Sequence, residues 1–338
     1  MASSLTLRER IRTRILTALD RLRVLRTLDV TALCFADREF KPALVAAQRA
    51  IRGLKKDGLI NPYLTDRRQT VYGLTKKGAQ WLESRDILAA GSVRRVSEMT
   101  NPEHLLWSNF TVLACEARGL SAQTESELLR RKPSELLTVR EFGGRVNAPT
   151  REWQICPDAV ADEEDGLTWF ELDRSKRGPE RVAKLVGLLR AVGRPFGDSH
   201  IRRVVVLAKT QRTFQAALNA VQNAGMLVTA RPAEENLERP GTVFFHILTP
   251  ASEHGPHVFA VYGDKQRHGH DGRTQTVTRL RGHVIVQMLP LSLARFRIDP
   301  RNRENRVEWF SNGFLPYFRP EEMQVGTWAS PDTPLLEG

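Results

Sequence analysis

Apolar positions recur at helical spacing near the start of the chain. Ile11, Ile15, Leu19 and Leu22 step four, four and three within Leu7–Leu25, which predicts a helix. Asp29 and Thr31 are residue types that cap a short second helix, around Val30–Phe35. Phe40, Leu44, Ala47, Ile51 and Leu54 form one apolar stripe and predict a third helix. Its other side carries Lys41, Gln48, Arg52 and Lys55, with Arg49 and Lys56 beside them. Gly58 in "KKDGLI" suits a helix C-terminus. "LINPYL" and "QTVYGL" then flank the turn "TDRR", predicting a hairpin with Arg67 and Arg68 at its tip, and "LTKKGAQWLE" starts a closing helix. Three helices, a basic-tipped hairpin and a fourth helix predict a winged helix-turn-helix. Its third helix would enter a major groove while the hairpin arginines meet phosphate.

Further along, 103–117 fits a helix and "LLTVREF" (136–142) a strand. "REWQICPDAVA" and "LTWFELD" fit two more strands, and "PERVAKLVGLLRAV" (179–192) fits a helix opened by Pro179. "IRRVVVLA" (201–208) is a continuous apolar strand of the kind buried on both faces, followed by a helix "QRTFQAALNAVQNAG" and a strand "MLVT". The order α-β-β-β-α-β-α-β predicts a mixed sheet covered by helices. After the linker-like "RPAEENLERPG", strands "TVFFHIL", "HVFAVYG", "GHVIVQML", "ARFRI" and "RVEWF" follow. The expected fold class is α+β. Residues 1–95 form the winged helix, 101–232 a mixed-sheet α/β core, and 241–338 a β-rich C-terminal extension.

Charge sharpens this division. The net charge is +12, yet residues 1–100 hold 20 Lys+Arg against 10 Asp+Glu, while the remaining segments are close to neutral. Such asymmetry points to a polyanion-binding module, with double-stranded DNA as the partner. No run approaches 18 apolar residues and the N-terminus has no apolar signal core, so neither a membrane partner nor secretion is expected. Cys34, Cys115 and Cys156 are far apart and read as reduced thiols of a cytoplasmic protein.

One stretch breaks the pattern of core. In "ICPDAVADEEDGLTWFELDRSK" (155–176), Asp158, Glu171 and Asp173 lie inside apolar runs that flank the turn "DEEDG". A turn centred near Glu164–Asp165 pairs residues whose numbers sum to about 329, which sets Asp158 opposite Glu171. Alternation puts Glu171 and Asp173 on the face of Trp169, with Phe170 and Leu172 on the other. Three carboxylates crowded on one patch repel unless compensated. A hard divalent cation, Mg²⁺ or Mn²⁺, is one compensator; it polarises phosphate and lowers the pKa of bound water in phosphodiester cleavage. An ion-pair network with Arg174, Lys176 and Arg177 is the other.

The basic module with "LKKDGLI…YGLTKKG", followed by "PDAVADEEDGLTWFELDRS", resembles the replication-relaxation family of plasmids and integrative mobile elements, over about residues 8–230. That resemblance implies a winged helix joined to a restriction-endonuclease-like core of the PD-(D/E)XK kind, acting in replication or mobilisation. Asp158 then matches the first acid and Glu171 the second. Asp173 stands where the nuclease lysine normally stands, with Lys176 able to reach back only if the strand ends or bulges at Arg174. An acid from the helix preceding these strands often joins such a site, with Glu103 and Glu116 as candidates, and Lys184 as a phosphate contact. Candidate partners also include relaxosome or replication proteins and a second copy of the chain. The alternatives are a non-catalytic accessory factor or repressor with a degenerate core, and a tyrosine relaxase using His268 and His270 with Tyr63, Tyr262 or Tyr317.

Overall fold

The computed structural model describes residues 6–65, 69–87, 89, 102–131, 136–140, 151–173, 178–233, 241–249, 255–268, 274–289 and 317–318. They fall into two compact units, one reaching to Leu120 and the other beginning at Ser121.

In the first unit, α1 (Leu7–Leu22) is opened by a capping box in which the Thr6 hydroxyl accepts from the Glu9 amide. The second helix, α2 (Thr27–Phe35), starts earlier than its sequence suggests. Asp29 sits in its first turn and accepts from the Arg26 amide at 2.6 Å, while the Thr31 hydroxyl donates inside the helix to the Thr27 carbonyl. The third helix, α3 (Phe40–Lys56), buries Phe40, Ala43, Ala47, Ile51 and Leu54. It stops at Gly58, whose φ of 72° is left-handed, with the Leu59 amide reaching back to the Leu54 carbonyl. Strands β1 (Ile60–Leu64) and β2 (Thr70–Leu74) pair antiparallel with Ile60 opposite Leu74, and α4 (Lys76–Glu83) follows, capped by Thr75. This is a winged helix-turn-helix arrangement.

Helix α5 (Pro102–Glu116), expected to open the second module, packs instead in this first unit. Its Asn109 amide donates to the carbonyls of Leu22 and Val24, both at 3.1 Å. The Arg26 guanidinium pairs with Asp29 at 2.7 Å and lies 5.7 Å from the rings of Trp107 and Phe110. A helix buried on every side from Leu106 to Cys115 belongs to whichever core encloses it, and that core is made with α2.

The second unit is built on a mixed sheet. Its elements are β3 (Ser121–Thr124), α6 (Glu125–Arg131), β4 (Leu137–Arg140), β5 (Glu152–Ile155), β6 (Ala159–Glu163), β7 (Gly166–Asp173), α7 (Pro179–Arg190), β8 (Pro195–Phe196), β9 (Ser199–Ala208), α8 (Gln211–Ala224), β10 (Met226–Val228), β11 (Phe244–Ile247), β12 (His257–His268) and β13 (Thr274–Met288). The main sheet runs β10-β11-β12-β13-β9-β7-β6-β3, with β8 beside β9; β4 and β5 form a separate pair. The stretch read as one strand, 151–161, thus divides at Cys156–Asp158 between two sheets. Strands β11 to β13, expected in a separate extension, join the main sheet because the apolar run Val284–Val286 of β13 pairs in parallel with β9. The proposed strands "ARFRI" and "RVEWF" lie outside the described residues.

One sheet face is covered by α7 and α8, burying Trp169, Val204, Val206, Leu188, Phe214 and Val284 together. On the other, Phe170 meets Tyr317 with ring centroids 6.0 Å apart. Both faces of β7 and β9 are therefore dry, which explains their unbroken apolar runs.

Candidate functional site

The β6–β7 hairpin has the register read from the turn. Ala159 pairs with Phe170 and Glu163 with Gly166, so Asp158 stands opposite Glu171. The Asp158 amide donates to the Phe170 carbonyl at 3.2 Å, and its carboxylate accepts from the Leu172 amide at 2.6 Å. The half-buried Asp158 carboxylate is thereby fixed at the open end of the pair. Glu171, also half-buried, shares a face with Trp169, whose indole N–H lies 3.5 Å from its carboxylate. Position 173 ends β7 opposite Ala208; its side chain, Lys176, Arg174 and Arg177 lie outside the described residues.

A third acid comes from a residue the sequence reading passed over. Glu125 begins α6, and its amide donates to the Asp158 carbonyl at 3.3 Å. Burial pushes the Cys156 thiol up to about 12, and the carboxylates of Glu125, Asp158 and Glu171 add to that rise. Glu125, Asp158 and Glu171 are thus the acids that raise this thiol, which sits at the break between β5 and β6. A signal for this helix start was present: "TESE" is a capping pattern, and Glu127 accepts from the Thr124 amide and hydroxyl at 2.9 and 3.0 Å. By contrast, Glu116 sits in the first unit, paired with Arg21 at 2.5 Å. Lys184 is paired with Glu180 at 2.6 Å. Among the described residues, no group of three or more His, Cys, Asp and Glu is placed to hold a metal ion.

The turn acids have a different fate. Arg203 of β9, fully buried, lies 3.5 Å from Glu163 and 2.5 Å from Asp165. Glu163 also accepts from the Thr168 hydroxyl and, at 2.9 Å, from the Tyr317 hydroxyl. Burial and Arg203 push His283, opposite Arg203 in the register, down to about 4. Two of the turn acids, Glu163 and Asp165, are thus tied to Arg203. Tyr317 is spent in that network and Tyr262 is buried in β12, which weakens both as relaxase nucleophiles. His270 lies outside the described residues.

In the first unit, Lys41, Gln48, Arg49, Arg52, Lys55 and Lys56 are all exposed along α3, opposite its buried stripe. The Arg52 guanidinium donates to the Gln48 carbonyl at 3.4 Å, holding the two on one line. Arg67 and Arg68 lie outside the described residues. No helix among the described residues is long and apolar enough to cross a membrane.

The chain thus joins a winged helix-turn-helix unit with a cationic third helix to a mixed-sheet α/β unit. The chain belongs to the replication-relaxation family, whose model matches residues 16–188, more than half of its length. No curated protein and no solved structure matches the chain.

Proposed function

We propose that this protein binds duplex DNA of a plasmid or mobile element and acts on its phosphate backbone with a divalent cation during replication or mobilisation. The observation that carries this is that Asp158 stands opposite Glu171 at the open end of the β6–β7 hairpin, with the Glu125 amide on the Asp158 carbonyl. Oxygen donors of this kind suit Mg²⁺ or Mn²⁺. Mg²⁺ is commonly held by one or two carboxylates together with substrate phosphate, and Asp158 and Glu171 supply two. Asp158 and Glu171 would hold the ion, which when bound would polarise a phosphate and lower the pKa of a water. The Leu172 amide aims the Asp158 carboxylate, and the Glu125 amide is hydrogen-bonded to the Asp158 carbonyl. Helix α3 would lie in the major groove, with its lysines and arginines on phosphate and bases.

A second reading, a DNA-binding accessory factor that does not cut, is favoured by Asp173, an acid at the position where a nuclease lysine activates water. Supercoiled plasmid carrying the cognate region, incubated with Mg²⁺ or Mn²⁺, separates the two. Metal-dependent nicking by the wild type that is lost in Glu171→Ala supports cleavage. Binding without nicking by either protein supports the accessory role.

A further inference from the structure

Strands β12 and β13 extend well beyond the sheet that holds them. The β11 pairing involves only Phe259–Tyr262 of β12, and the β9 pairing only His283–Met288 of β13. From Gly263–Arg279 to His268–Thr274 the two strands pair only with each other, as six cross-strand pairs. The result is a two-stranded arm roughly 20 Å long at about 3.3 Å per residue. Alternation places Gly263, Lys265 and Arg267 on one face, and their partners Arg279, Val277 and Gln275 share it. Lys265, Arg267 and Arg279 are exposed, while Val277 on the same face is buried. Asp264 is the one carboxylate among the arm's described residues; it is at the root, on the opposite face, and accepts from the Gly241 amide.

The root is built to keep this charge in place. A bulge between Val261 and Tyr262 makes Arg281 the extra residue of β13. Its guanidinium lies against Gly263, where a Cβ would stand 2.7 Å from it, and donates to the Asp264 carbonyl at 2.8 Å. Beside it opens a cavity of about 640 Å³ whose lining includes Arg202, Arg231, Lys265, Arg279 and Tyr262. The Arg202 guanidinium is anchored there on the carbonyls of Asp165 and Arg281 at 3.1 and 2.9 Å.

We infer that this arm is a second DNA-binding element, which enters the major groove of a duplex as a β-ribbon and seats phosphates on its cationic face and in the cavity at its root. A two-stranded ribbon fits a major groove about 12 Å wide, and lysine, arginine and glutamine are the side chains that meet phosphates and base edges there. The inference is independent of α3, because it rests on the second unit alone.

The test uses the full chain in fluorescence anisotropy on a labelled duplex of about 30 base pairs, and on one of its single strands, across a salt series. The triple variant Lys265→Gln, Arg267→Gln, Arg279→Gln should lower duplex affinity at least tenfold. It should also flatten the salt dependence by about 0.9 in slope for each lost phosphate contact. Lys265→Arg, Arg267→Lys, Arg279→Lys should retain the slope, and all three proteins should melt alike because these side chains are exposed. The same flattening should appear in a protein that also carries Arg49→Ala, Arg52→Ala and Lys55→Ala on α3. An unchanged affinity and slope for the glutamine variant would overturn the inference, as would a loss confined to the single strand. If only the α3 substitutions prove silent, α3 fails as the groove reader while the arm stands.

Discussion

Cys156 offers a direct report on the carboxylates around it. Its thiol is raised from an ordinary 9.0 to about 12, by burial first and then by Glu125, Asp158 and Glu171 in that order. At pH 8 about one molecule in 10⁴ then carries the reactive thiolate. A like charge within roughly 5–10 Å, across an effective dielectric of about 20, is worth about 2–3 kcal/mol. Salt and solvent at a half-exposed position reduce this to about 1.4 kcal/mol, or one pKa unit. Glu125→Gln should therefore speed iodoacetamide labelling of Cys156 about tenfold at pH 8, with Asp158→Asn and Glu171→Gln giving smaller gains in that order. A divalent ion at the carboxylates should do the same for the wild type, and should do much less for Asp158→Asn. Cys34 and Cys115 are buried, so peptide mapping isolates the signal. Wild-type labelling rates in all three variants would show that the acids do not converge on the thiol, and the site as described would fall.

Further outcomes follow from the same geometry. Arg52→Ala, and separately Arg67→Ala with Arg68→Ala, should each weaken duplex binding and lower the salt-dependence slope by about 0.9 per lost contact, read by anisotropy. Arg203→Met strands the buried Glu163 and should cost about 3–5 kcal/mol in urea unfolding; a loss below 1 kcal/mol would show that the network is slack. His283 titrates near 4 in the fold and near 6.5 when unfolded, so the unfolded chain binds the extra proton between those values. Its contribution is complete above pH 6.5 and is lost as pH falls toward 4, about 3 kcal/mol in all; His283→Gln should flatten that part of the stability profile. Gly78→Ala forces a Cβ to 2.3 Å from the Leu59 carbonyl and should lower the melting temperature of the first unit by several degrees.

Local pattern made much of this molecule legible. The stripe on α3 and the left-handed Gly58 follow directly from spacing and residue type. So does the β6–β7 register, because a tight turn leaves a hairpin little freedom to slip. What escaped was non-local. Nothing in the apolar run of α5 says which core encloses it; the choice rests on Asn109 reaching the carbonyls of Leu22 and Val24, over eighty residues away. The strands after residue 241 read as an independent extension because a parallel pairing with β9 leaves no turn in the sequence to mark it. Arg203 looked like one basic residue in an apolar strand, and only the fold shows that it neutralises Glu163 and Asp165. Glu125 was in reach through its capping pattern, yet its place beside Asp158 depends on β3 pairing with β6.

The role proposed for Asp158 and Glu171 is to hold a divalent ion on bound DNA. Calorimetric titration of Mn²⁺ into the full chain with a duplex oligonucleotide tests it most directly. A saturable binding heat is expected for the wild type and should disappear in Asp158→Asn with Glu171→Gln, while duplex affinity in the absence of metal is retained. Equal Mn²⁺ binding by the wild type and the double variant, or none by either, would contradict it.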